Sequence, residues 1–172
     1  VEGRGLIPPF AVLAAESWRL PASARIGLRG PFIGRVPPTG AALWIAAAGS
    51  DAQRATPARF VGVGRRRGVA FAVLDGDLPA DGSPFVAWRE AVPLGWGSVC
   101  FDPASAPKGP CAARLQGAGV VLGGLLVPQQ GDQWAVVVPG CSAWALGAFL
   151  RRLDRVTLPG GVVVPGRAVV AA

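Results

Sequence analysis

The stretch that decides the fold is RFVGVGRRRGVAFAVLDGDLPADG, residues 59–82. Two apolar runs, ARFVGV (58–63) and VAFAVL (69–74), flank Arg65, Arg66, Arg67 and Gly68. A glycine-rich phosphate loop has to open a helix whose N-terminal amides face the anion. Here a segment of strand character follows instead, so the stretch is expected to form a β-hairpin. Gly64 and Gly68 supply permissive backbone, and the arginines stand at the tip in solvent.

Short apolar runs punctuated by Gly or Pro recur on both sides of this hairpin. PFIGRV (31–36), AALWIAA (41–47), PFVAW (84–88), SVCF (98–101), GVVLGGLLV (119–127), QWAVVV (133–138) and GVVVPGRAVV (161–170) are all predicted strands. The fold class expected is mainly β, an antiparallel β-sandwich or barrel with one or two short helices. In CSAWALGAFLRRLDRV, Ser142 is an N-cap, Leu146, Phe149, Leu150 and Leu153 share a helical face, and Arg151, Arg152 and Arg155 gather at the C-terminal end, predicting a helix over 142–155. PPFAVLAAESWRLP predicts a second helix over 9–20. Residues 1–172 are read as a single β-rich domain. The linker-like stretch at 102–110 allows a subdivision into a basic part, 1–101, and a valine-rich part, 111–172, that carries the helix.

A chain that is 51% hydrophobic and 16% charged can bury a core, while Gly 25 and Pro 17 confine regular helix to a minority of the residues. The longest apolar run, GAGVVLGGLLV (117–127), is too short to span a bilayer, so no membrane span is expected. VEGRGLIPPFAVLAAESWRL sets two prolines before a short apolar run and lacks the basic start of a secretory signal.

The net charge of +7 is unevenly placed. Residues 1–70 hold ten arginines against three carboxylates, and residues 71–172 balance. Arg54, Arg59, Arg65, Arg66 and Arg67 face no acid within their own window and are the candidate anion- or partner-binding residues. Such a cluster suits a nucleic-acid backbone or an acidic protein surface. Trp44, Trp88 and Trp134 sit within strand patterns and are assigned to packing rather than to base stacking.

Catalytic chemistry is constrained from the start, because the chain has no histidine. That removes the Ser-His-Asp and Cys-His nucleophile systems and histidine-ligated zinc. The only lysine, Lys108, lies between Pro107 and Gly109 in a loop, not in the apolar pocket that a lysine base requires. Asp75, Asp77 and Asp81 in DGDLPADG lack the glycine and the distal acid of a calcium loop, and read as a turn. Cys100, Cys111 and Cys141 are too few for a zinc cage; Cys100 and Cys111 are spaced so that a disulfide stays open, against three buried free thiols. No catalytic residue, metal or cofactor is expected.

GRVPPTGAALWI (34–45), within PFIGRVPPTGAALWI, resembles the opening of the fibronectin-III-like domain that precedes the catalytic domain of PhoD-type alkaline phosphatases. There a glycine-rich strand leads through a threonine-containing turn into an aliphatic-tryptophan strand. FAVLDGDLPADGSPFVAW (71–88) is similar to the turn and following strand of such sandwiches, with Phe85 as the aromatic expected after the turn. The likeness covers residues 30–90. It implies a sandwich and an accessory binding role beside a larger secreted enzyme. It argues against phosphatase activity in this chain, which lacks the metal ligands of the phosphatase core.

The function expected is therefore non-catalytic: a structural or assembly module of a larger complex, such as a virion or other multi-protein particle, working through contacts with other protein subunits and a basic surface. An accessory fibronectin-III-like domain and a basic protein of a ribonucleoprotein are the alternatives.

Overall fold

Short apolar runs punctuated by glycines and prolines produce short strands along the described chain, which in this computed structural model comprises residues 11–14, 16–20, 25–30, 32–47, 55–76, 85–89 and 94–172. Two compact units divide it, Val1–Val92 and Pro93–Ala172. The first contains β1 (Ala11–Ala14), β2 (Glu16–Arg19), β3 (Arg25–Arg29), β4 (Phe32–Ile33), β5 (Ala42–Ala47), β6 (Thr56–Arg66), β7 (Val69–Gly76) and β8 (Phe85–Trp88). The second contains β9 (Leu94–Phe101), β10 (Cys111–Gly117), β11 (Val120–Pro128), β12 (Gln133–Pro139), helix α1 (Ala143–Leu150), β13 (Leu153–Thr157), β14 (Val163–Pro165) and β15 (Val169–Ala171). The division falls at Val92/Pro93, so β9 belongs with the second unit and the 102–110 loop lies inside it.

All the pairings are antiparallel, and chain connectivity forces each sheet to close. In the first unit the order is β2-β3-β7-β6-β5-β8-β1-β4. A flat sheet would hold β1 and β2 six strand spacings apart, about 29 Å. Yet a single residue separates them in sequence, and two peptide steps span at most about 7 Å. The resolution is that β1 and β2 are successive segments of one stave. It pairs with β8 through Ala11–Ala14 on one side, and with β4 and β3 in succession on the other. The second unit closes in the same way. Its outermost strands, β14 and β15, are joined by the 3-10 turn Gly166–Ala168, which spans at most about 14 Å. Val164 pairs opposite Val156 and Val170 opposite Cys100, so the 163–171 stave joins the two ends of the sheet. Each unit is thus a closed barrel, the barrel alternative of the predicted class, and closure removes the exposed edges that an open sheet must protect.

Each barrel has its own interior. Val12, Ile26, Leu28, Leu43, Ile45, Phe60, Leu74 and Phe85 fill the first. Phe101, Leu115, Leu126, Trp134, Val136 and Val156 fill the second, where the Phe101 and Trp134 rings meet edge to face at 5.8 Å. Trp88 and Trp134 are buried, in keeping with their assignment to packing.

Helix α1 starts at the predicted cap, with Ala145 N donating to Ser142 Oγ at 3.1 Å. It buries Leu146 and Leu150 on Gly97 of β9, where a Cβ would come within 2.7 Å of Leu150 Cδ1. It is shorter than the predicted 142–155. Leu153–Thr157 is strand β13, buries Val156 between β10 and β14, and directs Arg155 Nε to Gln116 Oε1 across the ladder at 2.9 Å. The helix predicted over 9–20 is corrected more fully. Its described part is β1 and β2, because pairing with β8 and β3 closes the barrel and outweighs the local helix preference of Ala, Leu and Glu.

Closure depends on a glycine at the seam. A Cβ on Gly166 would run into the Leu153 and Asp154 carbonyl oxygens, whereas one on Gly147, within α1, would meet nothing. Gly166→Ala is therefore expected to destabilise the protein by about 1–3 kcal/mol, and Gly147→Ala to stabilise it by roughly 0.5–1 kcal/mol. Chemical denaturation of the two variants checks the opposite signs.

Candidate anion-binding face

The β6–β7 hairpin closes through Arg67 and Gly68, with Arg66 opposite Val69. Both turn residues have positive φ, 52° and 78°, which is the two-residue type I′ geometry whose twist suits a hairpin. The sequence therefore led to the right turn. It did not show how the arginines separate.

Strand alternation separates Arg65 from Arg66, and a bulge decides which of the two faces outward. The register shifts between Phe60 and Gly62, so Val61 is extra in β6. Phe60 faces the core opposite Leu74; without the bulge, Gly62, Gly64 and Arg66 would share its face. With it, Val63 and Arg65 lie on the Phe60 face, while Gly62, Gly64 and Arg66 turn outward beside Val69, Phe71 and Val73. At the end of the interior face, Arg65 Nη1 donates to the Gly68 carbonyl at 3.3 Å. Arg66 goes to the outer wall.

On that wall two aromatic rings lie flat over glycines. Trp18 of β2 covers Gly27 of β3, where a Cβ would sit 2.9 Å from the indole, and Phe71 covers Gly64 with as little room. The two rings meet at 5.2 Å with an interplanar angle of 63°. The Arg66 guanidinium carbon lies 5.7 Å from the Trp18 ring centroid, an arrangement worth about 0.5–1 kcal/mol at an exposed site. Trp18 Nε1 is buried with no hydrogen-bond partner among the described residues. Together, Trp18, Arg29, Arg66, Arg67, Val69 and Phe71 line a recess of about 270 Å³. Its lining is mixed, with Trp18, Val69 and Phe71 contributing apolar surface and the three arginines contributing guanidinium groups.

The other candidate residues lie elsewhere. Arg59 is seven residues before Arg66, about 23 Å along the strand. Its Nη1 donates to the Gly40 carbonyl at 3.1 Å, and it stands opposite Asp75, which pairs with Arg25 at 3.2 Å. Arg54 lies outside the described residues, as do Asp77 and Asp81. The geometry thus brings Arg66 and Arg67 together, leaves Arg59 apart, and adds Trp18 and Arg29, which sequence spacing did not associate with the cluster.

In the second unit a larger groove, of about 680 Å³, opens between Ala104–Cys111 and the 158–165 segment. Its walls are mainly alanine, proline and valine, with Ser105 and Lys108 among them. Lys108 is exposed. Among the described residues no group of three His, Cys, Asp or Glu side chains could hold a metal, and no helix is long and apolar enough to cross a membrane.

Cys100, Cys111 and Cys141 are all free thiols, so the spacing of Cys100 and Cys111 is not used for a disulfide. Burial pushes the Cys111 and Cys141 thiols up from their ordinary value, which lowers the reactive thiolate fraction at neutral pH. A thiol whose pKa is raised by folding holds its proton more tightly in the native state, so its contribution to stability is present below the unfolded pKa and is lost as pH rises through the folded one. Iodoacetamide at pH 8 should alkylate Cys111 and Cys141 more slowly in the native protein than in guanidinium chloride; peptide mapping by mass spectrometry gives both rates. No family model matches the chain, and no curated protein matches it.

Proposed function

We propose that the chain is a non-catalytic structural or assembly module of a larger multi-protein particle, and that it docks on an acidic protein surface through the tip of the β6–β7 hairpin. The observation that carries this reading is the tip itself, where Arg65, Arg66 and Arg67 are exposed on a twisted hairpin anchored in a closed barrel. The paired strands hold the backbone that carries the charges, so docking orders little main chain and more of the contact energy remains as affinity. Exposed like charges at the tip repel one another in the free protein, and a bound anion relieves that repulsion.

Arg67 adds a second line of support. A side chain at φ 52° gives up conformational energy that Asn or Gly would spare. Ala118 occupies the matching position in the β10–β11 turn, at φ 51°, and carries no charge, which makes it an internal control. Arg67→Asn and Ala118→Asn should each stabilise the fold by about 0.5–1 kcal/mol. Only Arg67→Asn should weaken association with poly-L-glutamate.

Replacing Arg65, Arg66 and Arg67 together by Ser should leave the circular dichroism spectrum in place and move the melting transition by no more than a few degrees. It should lower association with poly-L-glutamate and flatten its salt dependence. Association that is unchanged in the triple variant would remove this reading.

A further inference from the structure

We infer that the recess bounded by Trp18, Arg66, Arg67, Val69 and Phe71 is a socket for one apolar side chain flanked by carboxylates, presented by an acidic segment of a partner protein. This rests on the docking role proposed above and specifies its ligand. A basic surface alone would need no pocket. Here three arginines share the lining with three apolar side chains, Trp18, Phe71 and Val69, the last 41% exposed at the start of β7. The volume of about 270 Å³ lies just below the range of small-molecule pockets, which begins at about 300 Å³, and suits a single side chain. Arg66 is already held against Trp18, so it offers a planar, pre-set donor fork to a carboxylate beside the socket. An aromatic or branched aliphatic anchor desolvated at the centre, with paired charges at the rim, is the arrangement that concentrates binding energy in protein interfaces.

The same geometry disfavours a nucleic-acid strand. Stacking of bases needs an open aromatic face, but the Trp18 ring has Gly27 against it and the Arg66 guanidinium near it. A phosphate track needs a run of cations along the surface. Farther along the same strands, away from the recess, Asp75 instead stands opposite both Arg25 and Arg59. What is left is a discrete basic spot that includes apolar side chains.

The test uses the full chain and three probes in titration calorimetry: capped Glu-Glu-Phe-Glu-Glu, capped Glu-Glu-Ala-Glu-Glu and a short oligothymidylate. The phenylalanine peptide is expected to bind at least about tenfold more tightly than the alanine peptide, the gain that burying one large apolar side chain supplies. Val69→Lys removes apolar lining while adding positive charge; it should abolish that preference without weakening the alanine peptide. In the unaltered protein, the phenylalanine peptide alone should shift the Trp18 indole N–H resonance, a readout that does not depend on any variant folding. Equal affinity for the two peptides overturns the socket and leaves electrostatic docking standing. Binding of neither peptide overturns both. Oligothymidylate that binds more tightly than the phenylalanine peptide and displaces it overturns the socket in favour of a nucleic-acid ligand.

Discussion

One stave in each unit pairs on both of its sides, and that double pairing makes a ladder into a closed wall. In the first unit β1 and β2 meet β8 on one side and β4 and β3 on the other; in the second, β14 and β15 meet β13 and β9. The short links within these staves cannot cross a flat sheet, so closure follows from connectivity and not from side-chain preference. The side chains then satisfy what closure demands. Interiors are filled by Val, Leu, Ile and Phe, and Gly117 and Gly166 stand where another backbone passes too near for a Cβ.

The candidate site is a product of that closure. Trp18 belongs to the closing stave, and its pairing with β3 sets the indole over Gly27 and beside Phe71 on the outer wall. The bulge at Val61 then reverses the alternation of the last part of β6, which brings Arg66 to the same wall. Remove either feature and the ring and the guanidinium no longer share a face. An aromatic lying over a strand glycine also protects backbone that would otherwise be open to water, so the seat has a structural use as well.

Much of this was legible from local signals. The apolar runs around Arg65–Gly68 identified the hairpin, and Ser142 marked the start of α1 at the right residue. Where the residues carry weak or contrary preferences, the sequence misled. The central AARLQ of β10 is made of helix formers and the strand lacks a β-branched residue, yet it pairs with β11 and β13. The RRLDRV end of the predicted helix has suitable spacing, but Val156 is required in the barrel wall. For the site, spacing grouped Arg59 with Arg65–Arg67, which the extended strand keeps apart. Trp18 and Arg29 were invisible as partners of Arg66, because their proximity depends on the register of four strands and on a one-residue bulge.

The most direct measurement is an isotope-edited nuclear Overhauser spectrum of the folded protein. Closure together with the bulge predicts contacts between Val12 and Ala87 and between Trp18 and Gly27 in the same species, and contacts from the Trp18 indole to the Phe71 ring and the Arg66 side chain. A spectrum that has the Trp18–Gly27 contact but no Val12–Ala87 contact would contradict the closed barrel. One that has both but places Arg65, not Arg66, beside the Trp18 indole would contradict the bulge that builds the site.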